Sequence, residues 1–441
     1  MSFDVAVVGC GPAGWIAADA LARAGLAVGL VAPAGHASWS HRLAAWVDEL
    51  APAGLRPCLA AELPAAAVRA PGVMRLVERP YGLLDGGAMR ARLGARLAAA
   101  GARWIDARVR TARVTATEVR LETSRGTVRG RLVVDATGHR PVLVRRPGPG
   151  PTLFQVGYGM ELELPPGAEA PSPELAELMD WRGAEAVPPS FLYALRTAPD
   201  RAFFEETVLL GRSPRGLEAL RARLQARLAP FGPRAKRPLA IERCVLPLDP
   251  PMPDLDQPIV GFGAAASFVH PSTGYQVGHA VRKAPQLAET VATGLAAGLP
   301  PEVLAREAWR ALWSPRDRRR RAFGRFGAAL LARMDGAALG RFFADFFARP
   351  ERAWRLVVDR RGGRRALFGA MLGLLVDLDA RERRALWRAI RDEPAPLLEA
   401  FLGPWVPRLE PAPRAAPAAE GSSASLPAPP TGPRATSEAR A

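Results

Sequence analysis

The stretch Asp4–Gly14, DVAVVGCGPAG, limits what this chain can fold into more than any other. Val5–Val8 predicts a buried strand that runs straight into Gly9-x-Gly11-x-x-Gly14. An alanine-rich helix is expected over Trp15–Ala24, stopped by Gly25, and a second apolar strand over Val28–Val31. Together these make one βαβ unit of about 30 residues, with glycines where a dinucleotide needs them. Gly9 allows the tight turn, Gly11 lets the backbone approach a pyrophosphate, and Gly14 lets helix and strand pack closely. Pro12 and Ala13 share the loop, at a helix N-terminus whose free N–H groups and partial positive charge suit phosphate. The second strand ends Val31-Ala32-Pro33, without the acidic residue that usually takes the ribose hydroxyl of NAD. That weakens NAD as the tight ligand and leaves a flavin dinucleotide open.

With 441 residues, 49% of them hydrophobic, the chain can hold two or three domains with sizeable cores. Three cysteines, Cys10, Cys58 and Cys244, make no disulfide framework and suit a reducing cytosol. No basic and apolar leader precedes the first strand, and Ala366–Val376 falls short of the ~20 residues of a membrane span. The net charge of +17 invites nucleic acid or an anionic membrane surface. The arginines are scattered and no nucleic-acid motif accompanies them, so no nucleic-acid partner is expected. Their densest run, Arg316–Arg321, reads as a contact to lipid headgroups or as a solvated helix turn. Five histidines, none spaced with a cysteine as metal ligands are, give no metal site.

Further along, Ser38–Asp48 mixes Trp39, His41, Arg42, Trp46 and Asp48, unusual for a plain loop. Pro-rich connections are expected over Ala51–Pro71, and Arg79-Pro80-Tyr81-Gly82 leads into a helix over about Gly87–Ala100. Strands are expected over about Ala107–Thr115, Glu118–Thr123 and Thr127–Arg129. A buried run, Leu132–Val134, then ends in the polar turn Asp135-Ala136-Thr137-Gly138. From Thr152 the strands become longer and half-alternating: Leu153–Leu164, Ser190–Leu195 and Ala202–Leu210. Ser172–Trp181 between them reads as helical, and a helix over Leu217–Leu228 closes the block. Ile241–Leu246 reads as a strand re-entering the first domain. Pro258–Gly263 reads as an apolar strand ending in glycines, and Val277–Leu295 as a helix. Pro301–Leu402 reads as helical, and the Pro-, Ala- and Ser-rich stretch beyond Pro411 as disordered.

Phe203-Phe204-Glu205-Glu206-Thr207 sets two adjacent carboxylates inside an apolar strand. Alternation points Glu205 and Glu206 to opposite faces. Whichever faces an apolar cavity has its pKa raised by desolvation and can hold a proton at neutral pH, as a general acid toward carbon must. The plainer reading is a solvent-facing pair matched by Arg201 or Arg212. The loop His270-Pro271-Ser272-Thr273-Gly274-Tyr275 follows an apolar strand and opens a helix. It can lie close to a flat ring and offer a helix N-terminus to an anion. The plainer reading is a loop in which Ser272 or Thr273 caps the helix. Aromatic residues gather around these segments, and each ring face can stabilise a cation by ~0.5–2 kcal/mol, although most such rings are core.

These strings, in this order, resemble the lycopene cyclases of the plant, cyanobacterial and actinobacterial type. The matching residues are Trp46-Val47-Asp48-Glu49, Arg79-Pro80-Tyr81-Gly82, Met179-Asp180-Trp181-Arg182 and Phe191-Leu192-Tyr193-Ala194. Phe204-Glu205-Glu206-Thr207, Arg243-Cys244-Val245-Leu246-Pro247, His270–Tyr275 and the helical block Phe323–Phe347 continue the match, which runs to about residue 402. The resemblance implies a flavoprotein holding FAD in its reduced form, kept so by NAD(P)H. It implies closure of the ψ end group of lycopene, or of a related linear carotenoid, into a β ring without net redox change. It makes Glu205 and Glu206 the catalytic residues, with Glu205 the first choice as proton donor and Glu206 the second. The acid protonates C2, the C1 cation is attacked by the C5–C6 double bond, and the resulting C5 cation loses the C6 proton. Every intermediate is cationic, so negative charge and aromatic faces nearby lower the barrier.

The resemblance further implies cofactor contacts from Gly9, Gly11, Pro12, Ala13, Gly14, Asp135, Thr137, Gly138, Gly263 and His270–Tyr275. It implies a substrate cavity walled by Trp46, Asp48, Tyr81, Tyr158, Tyr193 and Phe204, and an enzyme peripheral on the cytoplasmic face of the membrane. Three features depart from the family: Leu83-Leu84-Asp85 follows Tyr81-Gly82 where a basic residue and an asparagine are common, Ala32 replaces the acidic residue after the second strand, and Gly261-Phe262-Gly263 lacks an aspartate. The rival readings are a related FAD-dependent monooxygenase or geranylgeranyl-reductase-like oxidoreductase, and an inactive carotenoid- or lipid-binding flavoprotein. The expected fold is α/β, a Rossmann-like FAD-binding domain of the hydroxylase-like flavoprotein type. Residues 1–150 and 239–300 would build it, 151–238 an inserted mixed-sheet substrate domain, 301–410 a helical region and 411–441 a disordered tail.

Overall fold

The computed structural model describes residues 1–34, 39, 41–169, 171–184, 186–360, 362, 363, 366, 369, 373 and 379–402. The tail beyond Pro411 and most of Ala366–Val376 lie outside the described residues. The opening unit forms as predicted: β1 (Ser2–Val8), α1 (Pro12–Arg23) and β2 (Val28–Val31), with β1 and β2 parallel. Next come β3 (Leu43–Trp46), a single turn α2 (Val47–Leu50), β4 (Leu59–Leu63), β5 (Ala65–Ala70), β6 (Val73–Val77), β7 (Tyr81–Leu84) and α3 (Gly86–Ala99). β8 (Arg103–Ile105), β9 (Val109–Val114), β10 (Val119–Thr123) and β11 (Gly126–Asp135) follow.

Among the described residues the strands form three sheets. The first runs β8-β2-β1-β11-β10-β9, with β17 (Val260–Gly261) added beside the end of β11. Its central strands are buried along their length, because α1 covers one face and the long helix α5 (Val277–Ala296) packs on α1. β1, β2, β8, β11 and β17 are parallel, which places the Gly9 loop and the Asp135 turn side by side at the carboxyl ends of β1 and β11.

The second sheet contains β12 (Phe154–Glu163), β13 (Leu175–Asp180), β14 (Phe191–Ala198), β15 (Arg201–Gly211) and β16 (Ala240–Pro247), in the order β16-β12-β15-β14-β13-β5-β6. Three expectations fail here. Ser172–Trp181, rich in helix formers, contains the strand β13 rather than a helix, because β14 and β5 pair with it on either side and override local propensity. The stretch expected to be a loop over Ala51–Pro71 supplies β4 and β5, so the second sheet draws strands from before residue 151. Likewise β16 does not return to the first sheet but pairs with β12 at the edge of the second. Helix α4 (Leu217–Arg227) covers one face of this sheet. A small third sheet, β3-β7-β4, bridges toward α2 and α5.

Among the described residues the C-terminal block is helical: α6 (Pro301–Leu312), α7 (Pro315–Leu331), α8 (Gly336–Ala348), α9 (Glu351–Val358), and the helices Ala380–Asp392 and Pro394–Leu402. Indole N–H groups tie α6 to the first sheet, Trp309 to the Ile259 carbonyl at 3.1 Å and Trp313 to the Ala266 carbonyl at 2.8 Å. α8 packs on β5, where alanines and Gly340 allow close approach. The arginine run at the start of α7 turns partly inward: Arg320 donates to the Gly362 carbonyl and Arg321, 3% exposed, to that of Pro250. Arg320 and Arg321 are thus neither a headgroup contact nor a solvated turn. Among the described residues no helix is long and apolar enough to cross a membrane.

Candidate active site

The strand β15 divides the glutamate pair. Residues of β15 alternate faces, and the register fixes which neighbours each carboxylate meets. Glu206 shares the α4 face with Phe204, Tyr158 and Val208. It is 1% exposed, accepts a hydrogen bond from the Ser190 hydroxyl at 2.5 Å, and lies 2.8 Å from the Arg227 guanidinium on α4. Tyr158 and Phe204 were expected in the substrate cavity. They sit instead in this α4-side core, away from Glu205, because each is one residue out of phase with it across the paired strands.

Glu205 points the other way, onto the face shared by Tyr193, Phe203, Thr207 and Phe191. It is half-buried. Opposite it, β12 carries Gly157 and Gly159. A Cβ on Gly157 would stand 2.6 Å from the Glu205 carboxyl carbon, and one on Gly159 would overlap the Phe203 ring. These two glycines therefore hold open the space in which the carboxyl lies. The Thr207 hydroxyl donates to Glu205 at 2.5 Å. Burial pushes the Glu205 pKa up to about 7, against the Thr207 hydrogen bond; the nearby Glu242 charge pushes the same way and His41 opposes it. At neutral pH this carboxyl carries a proton part of the time, as a proton donor must.

Aromatic rings wall the same side. Tyr193 lies 6.4 Å from Phe203 and 6.4 Å from Tyr81, both edge-on, and Tyr81 packs edge-on to Trp46 at 5.0 Å. The Tyr275 hydroxyl donates to that of Tyr81 at 3.4 Å. Burial raises the pKa of Tyr81, Tyr193 and Tyr275 well above the usual phenol value, so all three remain neutral. Beyond Tyr275, between β13, α7 and α8, lies an apolar cavity of about 100 Å³ walled by Met179, Phe326, Leu330, Phe343 and Phe346. A larger open groove of about 620 Å³ between β15, α4 and the α7–α8 turn touches neither Glu205 nor the tyrosines.

Asp48, expected in the cavity, instead sits behind Trp46. Its carboxylate accepts from Arg79 at 2.9 Å and from Arg355. Arg79, 2% exposed, also donates to the fully buried Asp359 at 2.9 Å and stacks over Trp46 at 4.8 Å. This ion-pair web from α9 backs the aromatic wall, and nothing in the local sequence of Arg79 announces its partner at residue 359.

The dinucleotide loop fits an anionic ligand. Gly9 has φ +106°, and a Cβ there would stand 2.7 Å from the Ala136 carbonyl oxygen; one on Gly14 would overlap the Gly9 carbonyl. A Cβ on Gly11 would meet nothing within 4 Å, and no side chain caps the helix there, so the N–H groups of α1 face open space. Pro12 and Ala13 form the first turn, and Gly263 packs against Ala13. Asp135 is fully buried and spent on the turn, accepting from the Thr137 N–H and hydroxyl and from the Leu143 and Val144 N–H groups. Any ligand contact from Asp135 and Thr137 is thus left to the backbone, beside the open Gly138.

The His270–Tyr275 loop is knitted to the C-terminal helices. The Ser272 hydroxyl donates to the Gly324 carbonyl of α7 at 2.6 Å, and Pro271 packs by Gly324. His270 Nδ1 accepts from the Ser272 N–H, so Nε2 carries the proton and donates to the Val357 carbonyl at 3.1 Å. Burial, with the Arg360 charge, holds the His270 pKa well below 6.5, so it stays neutral. Neither Ser272 nor Thr273 caps α5, whose N-cap is Gln276 with no side-chain hydrogen bond. Thr273 accepts from the Tyr275 N–H, and Gly274 lies against Gln155. Among the described residues no His, Cys, Asp or Glu group could hold a metal.

Sequence reasoning missed Glu242 and Gly157. Two glycines at alternate positions of a strand, Gly157-Tyr158-Gly159, were the available signal for the open space.

The sequence profile described as "Lycopene cyclase protein" matches residues 4–361. A chloroplastic lycopene beta cyclase from an Oncidium hybrid cultivar is 34% identical over 414 residues, covering 89% of this chain and 86% of its own. A lycopene beta cyclase from Synechococcus elongatus is 32% identical over 417 residues, covering 88% and 99%. Among solved structures, a geranylgeranyl bacteriochlorophyll reductase-like protein from Thermoplasma acidophilum superposes with a TM-score of 0.61 at 15% identity, covering 89% of this chain and 99% of its own. The shared architecture is that of reductase- and hydroxylase-like flavoproteins.

Proposed function

Because the chain belongs to the lycopene cyclase family, we propose that it closes the ψ end group of lycopene, or of a closely related linear carotenoid, into a β ring, with Glu205 as proton donor. The observation that carries this reading is the Glu205 carboxyl, with its pKa raised to about 7, on a face walled by Tyr81, Tyr193 and Phe203. Protonation of C2 leaves a cation that migrates from C1 to C5 as the ring closes. Neutral phenols and phenyl rings offer their π faces to that charge without competing for the proton. The apolar cavity beside Tyr275 suits part of the polyene. Glu206 acts at a distance, by fixing β15 against α4 through Arg227.

FAD fits the open N-terminus of α1, the Gly138 turn and the Gly263 contact, and when bound and reduced it would supply a fixed negative charge. NAD(P)H is its reductant in this reading. A substrate this apolar resides in lipid, so the enzyme works as a peripheral protein on the cytoplasmic face of a membrane.

Expression in a host that accumulates lycopene tests the reading. The wild-type chain should yield γ-carotene or β-carotene, and Glu205→Gln should leave lycopene untouched while the folded protein accumulates normally. Unconverted lycopene with the wild type, or rings with the variant, would sink it. A hydride-transfer or oxygenating enzyme on this fold would instead give reduced or hydroxylated products, insensitive to Glu205→Gln.

A further inference from the structure

Glu242 is a second carboxylate on the Glu205 face, and the scheme above does not use it. The edge strand β16 delivers it: Glu242 and Glu205 pair in register with the same residue, Gly159, from opposite sides. The Phe203 ring lies over the backbone between them. Glu242 is 5% exposed. One of its oxygens accepts the Arg42 backbone N–H at 3.0 Å, and the other lies 3.3 Å from His41 Nδ1. The His41 side chain is 53% exposed and lines an open pocket of about 370 Å³ with Trp39, Arg42 and Glu161. A path of titratable groups thus leads from solvent through His41 to Glu242 and onto the face that holds the donor.

We propose that Glu242 is the base that removes the ring proton, and that His41 carries this proton to solvent. The inference rests on the cyclase reading. Glu205 gives a proton to C2, and the ring closes to the C5 cation. The C6–H bond then breaks: its electron pair becomes the C5–C6 double bond and its proton goes to the Glu242 carboxylate. His41 relays that proton outward and solvent reprotonates Glu205, so no electrons are exchanged and the enzyme returns to its starting state. Of the other groups on this face, the Glu161 carboxylate is already held by the Arg42 guanidinium and the Thr197 hydroxyl. Burial holds the Cys244 thiol and the Tyr81, Tyr193 and Tyr275 phenols in their protonated forms.

The site of proton loss reports on the base. A C5 cation can lose a proton from C6, from C4 or from the C5 methyl, giving β, ε or γ rings. With flavin-loaded full-length enzyme and lycopene in phospholipid vesicles, Glu242→Gln should lower β-ring formation by about 100-fold, the weight of one general base, and raise the share of ε or γ rings. His41→Gln should lower kcat by about tenfold at unchanged KM, and added imidazole should restore it. Glu242→Gln that makes only β rings at the wild-type rate overturns the proposal. So does a uniform loss of all rings together with no effect of imidazole on His41→Gln, which would make Glu242 a clasp for residues 41 and 42. If Glu242→Gln does not fold, the imidazole result on His41→Gln decides alone. Wild-type enzyme that forms no ring overturns the cyclase reading instead.

Discussion

Glu205 and Glu206 are chemically identical, adjacent on one strand, and set in opposite surroundings. Glu206 meets a matched guanidinium and a hydroxyl inside a sheet–helix core, so its charge is answered and fixed. Glu205 meets a threonine hydroxyl, two glycines and a wall of rings, so its charge is penalised and its proton retained. What separates the two carboxyls is the face of the sheet each one takes: one is covered by α4 and its Arg227, the other by glycines and rings. Stability and catalysis should therefore come apart when each is changed.

The largest effect expected is on chemistry. Glu205→Gln should cut ring formation by at least about 10³-fold, since it removes the reacting proton itself and not only its positioning. Pigment analysis reads this directly. Gly157→Ala comes next: its methyl would displace the Glu205 carboxyl, and a shift of about 1 Å in a reacting group costs about 100-fold in kcat.

Glu206→Gln should show the reverse pattern. It strands Arg227 and should lower unfolding free energy by about 2–3 kcal/mol, below the figure for a fully buried pair because the arginine side chain is 20% exposed. Chemical denaturation measures the loss, and activity per folded molecule should be kept. An active-site role for Glu206 would instead appear as lost turnover without lost stability.

The smallest effects on turnover concern pH. Turnover should decline as pH rises through about 7, where Glu205 loses its proton. Thr207→Val removes the hydrogen bond that restrains this pKa, so the decline should move to higher pH. The stability sign follows from the folded pKa lying above the unfolded value. Below 4.5 the group is protonated in both states and costs nothing; the cost builds as pH rises from 4.5 to about 7 and is complete above it, on the order of 3 kcal/mol. Glu205→Gln should thus be more stable than the wild type above pH 7, and equal to it in acid.

The βαβ unit was legible because its signals are local: apolar runs, glycines and a helix start within one short stretch. The strand β13 was not, because Leu175–Asp180 favours a helix locally and becomes a strand only between β14 and β5. The position of β16 was hidden for the same reason, and Glu242 was hidden with it. Alternation alone put Glu205 and Glu206 on opposite faces, but the inward face of the pair depends on where α4 and the third sheet pack. Tyr81 and Tyr193 stand in strings the resemblance matches; Tyr275, expected at the cofactor, joins their wall, whereas Tyr158 and Phe204, expected beside them, take the other face.

The pairing of Arg79 with Asp359 spans 280 residues of chain. A ribosome adding about 5–20 residues per second needs on the order of tens of seconds to cover that interval. Throughout it Arg79, stacked on Trp46, lacks its Asp359 partner, and β5 and β6 wait for α8. The emerging chain therefore shows an oily, half-built wall to its surroundings for longer than most small domains take to fold. Chaperone dependence, more than final stability, should set how much of this protein a foreign host can make.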